Sequence, residues 1–243
     1  MLTQEHFALL AKVDSPTVAN VIELFGIRSQ VAGYANNTLE AIYPELPPAV
    51  GYAVTATFRA GYPSEAGSSY GDMPKMIEQA LQVSGPYFAV FQDLDEPTRA
   101  ATYGEVMATT FQAFGFVGLI TSGAGRDIEQ VRRLGLPCWA SSIVVSHGYP
   151  QIVDISIPVM VGGLRVHPGD LLHADANGII EIPQSIAPCV AELCAPFIQA
   201  EEITLSYLRA PNPTVAGYGQ AVGEMQTAMA GLRKRAKAFL EGA

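Results

Sequence analysis

Cysteine is scarce in this chain of 243 residues: Cys138, Cys189 and Cys194 make an odd count with no C-x-x-C pair. That excludes a disulfide framework and a zinc cage of the usual spacing, and it makes all three expected small buried hydrophobes. Basic residues are also few. Fourteen Lys and Arg against 23 Asp and Glu leave a net charge of -9, the wrong sign for holding nucleic acid by neutralising phosphates. No apolar run approaches the roughly 18 residues that a membrane-spanning helix needs. The opening MLTQEHFALLAKVDS is no basic leader with a cleavage site but reads as a short amphipathic helix and its cap. The expectation is a cytoplasmic protein with no nucleic-acid or membrane partner. Ser141, Ser142 and Ser146 lack the G-x-S-x-G context of a serine hydrolase. Gly123-x-Gly125 lacks the third glycine and the acidic partner of a dinucleotide fingerprint.

What is present is a hydrophobic content of 49 %, enough for a substantial core. The sequence reads as a single domain over residues 1–243, with a core at about 15–185 and a helical C-terminal extension at about 186–243. Asp14, Ser15 and Pro16 open a helix that Gly26 closes. AVGYAVTATF (49–58) reads as a strand, Asp72 and Pro74 start a helix through Ala80, and GPYFAVFQDL supplies the next strand. The centre alternates: a helix from Glu105 to Gly115, the strand FVGLIT, a helix from Asp127 to Gly135, and the strand PCWAS. Such alternation predicts parallel β-α-β units. Beyond Gly148, short β segments separated by Gly162-Gly163, Pro168-Gly169 and Asn177-Gly178 predict an antiparallel or mixed half. From Ser185 onward the chain reads as helix broken into pieces by Pro188, Pro196, Pro211 and Pro213, with a loop at RAPNPTVAGYGQ.

Chemistry gathers where two of these helices begin. Gly104 and Glu105 stand at one helix start, where unpaired backbone N–H groups favour an anion. Arg126 and Asp127 stand at the next, after the small residues Gly123, Ala124 and Gly125. In a parallel sheet both starts lie beyond the carboxyl ends of the strands, the edge at which ligands bind. Helix capping and surface ion pairing would account for each residue singly. Together, two carboxylates suit a hard divalent cation and a guanidinium suits a carboxylate substrate. Among the histidines, His147 is the candidate to line a site, while His6 and His167 read as surface residues. Asp170 and Asp175 belong to tight turns, where aspartate bonds to the backbone.

GEVMATTFQAFGFVGLITSGAGRD, with GGLRVHPGDLLHADANGIIEIP downstream, resembles the family of 4-hydroxy-4-methyl-2-oxoglutarate aldolases and RraA-type regulators of ribonuclease E. The ordered set is Gly104-Glu105, Gly123 to Asp127, Val166 with Pro168-Gly169-Asp170, Asp175 to Gly178, and Ile182-Pro183. The resemblance implies an α/β chain of β/β/α type, with a central mixed sheet, flanking helices, and assembly as a homotrimer or homohexamer with sites between subunits. It implies Mg²⁺ or Mn²⁺ at Asp127, supported through water by Glu105. It assigns a small 2-oxo acid substrate to Arg126 and to the backbone amides of Gly104, Glu105, Val106 and Met107. A neighbouring subunit would contribute Glu201 or Glu202. The implied activity is a class II, metal-dependent carbon–carbon lyase working through a metal-stabilised pyruvate enolate, as aldolase or oxaloacetate decarboxylase. Alternatives are a non-catalytic regulatory protein of the RraA type and a member with altered substrate. Two departures bear on the last: Ser122 stands where the family often has aspartate, and the C-terminal end is long.

Overall fold

The computed structural model describes residues 2–63 and 71–242. They fall into two compact units, Gly33–Pro183 and Met1–Ala32 with Gln184–Ala243. The second unit opens with two helices, α1 (Gln4–Leu10) and α2 (Ser15–Glu23). Thr3 caps the first, and the Asp14 carboxylate caps the second by accepting the Thr17 N–H at 2.9 Å.

The unit Gly33–Pro183 is built on a mixed sheet. Its strands are β1 (Glu40–Ala41), β2 (Ala49–Arg59), then helix α3 (Met73–Ala80), and β3 (Tyr87–Asp93). After them come β4 (Ala101–Tyr103), helix α4 (Glu105–Ala113), β5 (Phe116–Thr121), β6 (Ala124–Gly125), helix α5 (Ile128–Leu134) and β7 (Cys138–Ala140). The remaining strands are β8 (Ser142–Ile143), β9 (Gln151–Ile155), β10 (Val159–Val161), β11 (Leu164–Val166), β12 (Leu171–Asp175) and β13 (Gly178–Ile182). In the main sheet the order is β1-β7-β5-β3-β2-β12-β13, with β9 also pairing β2. β7, β5, β3 and β2 run parallel, and β12, β13, β9 and β1 pair antiparallel. The parallel centre and mixed flank agree with the change in sequence texture at Gly148.

Alternation along the central strands fills both faces. Tyr87, Ala89 and Phe91 pack with Met76, Met107, Phe111 and Val131 on the helical side. Phe88 and Val90 point the other way, against Trp139, Val159, Val161 and Leu164. A strand buried on both faces reads as a continuous apolar run, hence YFAVF. All three cysteines are free and buried, and burial pushes the Cys138 thiol up to about 12.

The other unit closes with α6 (Ala187–Arg209) and α7 (Val215–Gly242), which pair, and α1 and α2 pack on α6. Phe25 meets Phe239 edge to face. Prolines break this region less than the sequence suggests. Pro188 sits in the first turn of α6, where its missing N–H costs nothing, and Pro196 lies inside one unbroken helix of 23 residues. The packing of α6 against α2 and α7 outweighs one lost backbone bond. α7 starts at Val215, so the loop shrinks to residues 210–214, where Thr214 accepts the Gly217 N–H. Among the described residues no helix is long and apolar enough to cross a membrane.

Candidate active site

A second, three-stranded parallel sheet, β4-β6-β8, carries the candidate residues. Strands of two or three residues leave no periodicity to read, so the sequence does not reveal this sheet. It forms where β5 ends, and the turn 121–126 is pinned on every side. Thr121 Oγ1 accepts the Gly123 N–H, and the Gly123 carbonyl accepts both the Ser141 N–H and its hydroxyl. The Arg126 N–H donates to the Tyr103 carbonyl at 3.0 Å, tying the start of α5 to the end of β4.

This tie brings the two helix starts together. Asp127 Oδ2 accepts the Glu105 N–H at 3.0 Å, and Arg126 Nε stands 3.7 Å from the same oxygen. Asp127 therefore caps α4 from the first position before α5, and it makes no side-chain cap to its own helix. Its backbone is left-handed, φ 55° and ψ 44°, a conformation that aspartate and asparagine tolerate better than most residues. Gly104 is where the pair needs space. A Cβ there would stand 2.4 Å from Asp127 Oδ2 and 3.0 Å from Arg126 Nε. Val106 and Met107 follow in the first turn, where helix N–H groups have no preceding carbonyl to bond. The Met107 side chain is buried in the core, so only its backbone can face a ligand, whereas Val106 is 73 % exposed.

Of the predicted residues, Gly104, Glu105, Val106, Met107, Arg126 and Asp127 thus share one corner. Glu201 and Glu202 lie on α6 in the other unit. Glu202 bonds Ser206 and Arg209, and burial with the nearby Asp14 charge raises the Glu201 carboxyl above its ordinary value. His147 is exposed, its Nδ1 2.8 Å from the Gly148 carbonyl. Asp170 and Asp175 accept backbone N–H groups of His167 and Asn177, as tight-turn aspartates do. Ser122 accepts the Asp93 N–H at 2.8 Å.

Two neighbours of this corner escape sequence reading. Asp93 ends β3, and its Oδ2 lies so near Gly123 that a Cβ there would approach to 2.6 Å. Burial raises its carboxyl above the ordinary range, against hydrogen bonds from Asp95 and Thr98 that lower it. Folding therefore favours the protonated form. The associated stability is complete below the unfolded value, near 3.9, and is lost as pH rises through the raised folded value. Asp93→Asn is accordingly expected to stabilise the protein more at pH 7 than at pH 4, checked by thermal melts at both; an equal shift at both would refute the penalty.

Tyr103 lies beneath Gly125, whose Cβ would meet its hydroxyl. That hydroxyl is buried with no hydrogen-bond partner of ordinary geometry, beside the Cys138 thiol. A buried unpaired hydroxyl costs ~1–3 kcal/mol. Tyr103→Phe is expected to raise Tm by ~2–4 °C per kcal/mol recovered, and a fall in Tm would show that the thiol satisfies the hydroxyl.

Among the described residues no three His, Cys, Asp or Glu side chains group closely enough to form a metal cage. A hard cation of the Mg²⁺ type needs only one or two carboxylates and keeps several waters. Asp127 fits that demand: one oxygen, Oδ2, is held by the Glu105 N–H and Arg126, and the side chain is 32 % exposed.

The model of the RraA-like family, Aldolase/RraA, matches residues 17–180. A protein of Ectopseudomonas mendocina, provisionally named 4-hydroxy-4-methyl-2-oxoglutarate aldolase, is 27 % identical over 113 residues, 46 % of this chain and 70 % of that one. A relative of the same provisional name from Azotobacter vinelandii is 33 % identical over 112 residues, 46 % of this chain and 69 % of that one. Streptomyces coelicolor RraAS2, described as an unusual member of the RNase ES inhibitor RraA protein family, superposes with a TM-score of 0.64 at 23 % identity. The superposition covers 84 % of this chain and 96 % of that one, a likeness of fold. With the matched residues reaching from α2 to β13, the chain belongs to the RraA-like family, Aldolase/RraA.

Proposed function

We propose that this protein is a divalent-metal-dependent carbon–carbon lyase acting on a small 2-oxo acid. The observation that carries the reading is the Arg126–Asp127 pair folded onto Gly104 at the start of α4. Asp127, with Glu105 through water, would hold Mg²⁺ or Mn²⁺, which supplies a Lewis acid for the keto oxygen. The N–H groups of Val106 and Met107 receive the substrate carboxylate at the helix N-terminus. Arg126 sets fixed positive charge beside the oxygen on which negative charge develops.

In a 4-hydroxy-2-oxo acid the 4-hydroxyl loses its proton as the C3–C4 bond breaks. That bond's electron pair stays on C3, giving pyruvate enolate and a carbonyl product, and C3 then takes a proton. Glu105, exposed in the first turn of α4, would pass those protons through water. Loss of CO₂ from oxaloacetate leaves the same enolate, so one site serves aldol cleavage and decarboxylation. Three free, buried thiols suit the cytoplasm.

The test is pyruvate release from 4-hydroxy-4-methyl-2-oxoglutarate and from oxaloacetate, with Mg²⁺, with Mn²⁺ and with chelator. Turnover abolished by chelator supports the reading; folded protein that neither binds metal nor turns over either acid sinks it. Assembly as a trimer or hexamer belongs to the same proposal. Val106, Ile143 and Val145 leave apolar surface around this corner, Val145 being 93 % exposed, and such surface suits a covering neighbour. A solution mass of 25.8 kDa by light scattering would refute assembly.

A further inference from the structure

The V-H-P-G-D turn takes no part in the proposed chemistry, yet it walls a cavity of about 390 Å³. We propose that this cavity is a second ligand site, for an uncharged planar ring compound bearing a carbonyl acceptor. Tyr52 and Tyr87, which face it, pair across β2 and β3 at the amino end of the parallel strands. Asp93 ends β3 six residues beyond Tyr87, so the cavity and the Arg126 corner belong to opposite sheet edges, roughly 20 Å apart along the strand.

The walls are preformed. Pro168 and Gly169 are locked to β2 by two backbone hydrogen bonds of 2.8 Å, Ala53 N–H to the Asp170 carbonyl and Gly169 N–H to the Ala53 carbonyl. Opposite them, Tyr87 donates its hydroxyl to the Val83 carbonyl at the end of the α3 segment. One edge of the Tyr52 ring abuts Gly85, where a Cβ would come within 2.8 Å of it. Ser156 holds a left-handed backbone, φ 56°, that is costly for a residue with a side chain. From it the hydroxyl donates to Gln79 Oε1. Strain of this kind persists where surrounding structure holds it, and it clusters at ligand sites.

The lining selects the chemistry. Among the described residues that face the cavity there is no Asp, Glu, Lys or Arg, so none of them compensates the desolvation of an ionic ligand. With a net charge of -9, the surrounding field opposes anions further. Tyr52 and Tyr87 offer aromatic surface. Ser156 occupies the oxygen of Gln79, which leaves that carboxamide's Nε2 as a donor, with the Gln82 carboxamide beside it on the rim. A volume in the range of small-molecule sites admits one or two fused rings.

Ligand-observed NMR titration of the full chain with 2-naphthamide and its charged isostere 2-naphthoate tests this. The amide is expected to bind saturably with a Kd of about 1 mM or tighter, and the carboxylate at least ~10-fold more weakly. Gln79→Ala should weaken the amide by ~5-fold or more. Val83→Trp, at an exposed position that fills the mouth, should abolish binding. Asp127→Ala should leave it unchanged. Circular dichroism melts confirm that each variant is folded. No saturable binding, equal binding of amide and carboxylate, or binding indifferent to both cavity variants would overturn the site. Binding lost with Asp127→Ala but kept with Val83→Trp would place the probe at the other edge and overturn it too.

Discussion

Asp127→Asn is expected to abolish metal-dependent pyruvate release while leaving Tm nearly unchanged. The substitution separates the two duties of that side chain. Asparagine keeps an oxygen to accept the Glu105 N–H, now found at 3.0 Å, and it accepts the left-handed backbone at φ 55°. It lacks the negative charge that a hard cation requires. Asp127→Ala loses all three features, and strain at a positive φ adds ~1 kcal/mol of destabilisation. The informative comparison is therefore kcat/KM and metal affinity for Asp127→Asn against its melting curve. Activity retained by Asp127→Asn would mean that Asp127 only caps α4. Arg126→Ala should lower kcat/KM by ~100- to 1000-fold, the scale for removing one electrostatic donor from a transition state. If turnover survives it, the guanidinium serves packing on Gly104 and the proposed lyase chemistry is wrong.

Gly104→Ala is the second variant with a large expected effect, and it probes space alone. The backbone at Gly104, φ -150° and ψ -165°, is extended and open to any residue, so glycine is not required by conformation. It is required by approach: an added methyl would sit 2.4 Å from Asp127 Oδ2 and 3.1 Å from Arg126 Cγ. Both side chains are about 30 % exposed, Arg126 at 29 % and Asp127 at 32 %, and can yield outward. Stability should then change little, while displacement of the pair by about 1 Å costs ~100-fold in kcat/KM. A variant with full turnover would show that the contact on Gly104 is incidental. A variant that fails to fold would show that the corner is a structural joint.

Much of the fold can be read from the sequence because its cues are local. The run YFAVF, the helix-opening Asp14 and Asp72, and the glycines Gly26, Gly115 and Gly135 mark elements close to where they occur. Prolines mislead at Pro196, since a helix held by packing on both sides tolerates one missing bond, and packing is not a local property. The strands β4, β6 and β8 pass unnoticed for the opposite reason: they are too short for a period and exist only as each other's partners.

The same division holds at the candidate site. From sequence alone come the residue types, the spacing that puts Glu105 and Asp127 at consecutive helix starts, and the family pattern around them. Only the tertiary structure decides that Asp127 caps the neighbouring helix and not its own, that Gly104 is the floor on which the Arg126 and Asp127 side chains lie, and that Asp93 and Tyr103 stand behind them. Helical and strand periods act over a few residues and are written into the order of side chains. A carboxylate's partner 22 residues away, or the burial that raises the Asp93 carboxyl, is set by the register of strands that meet only once the chain has folded.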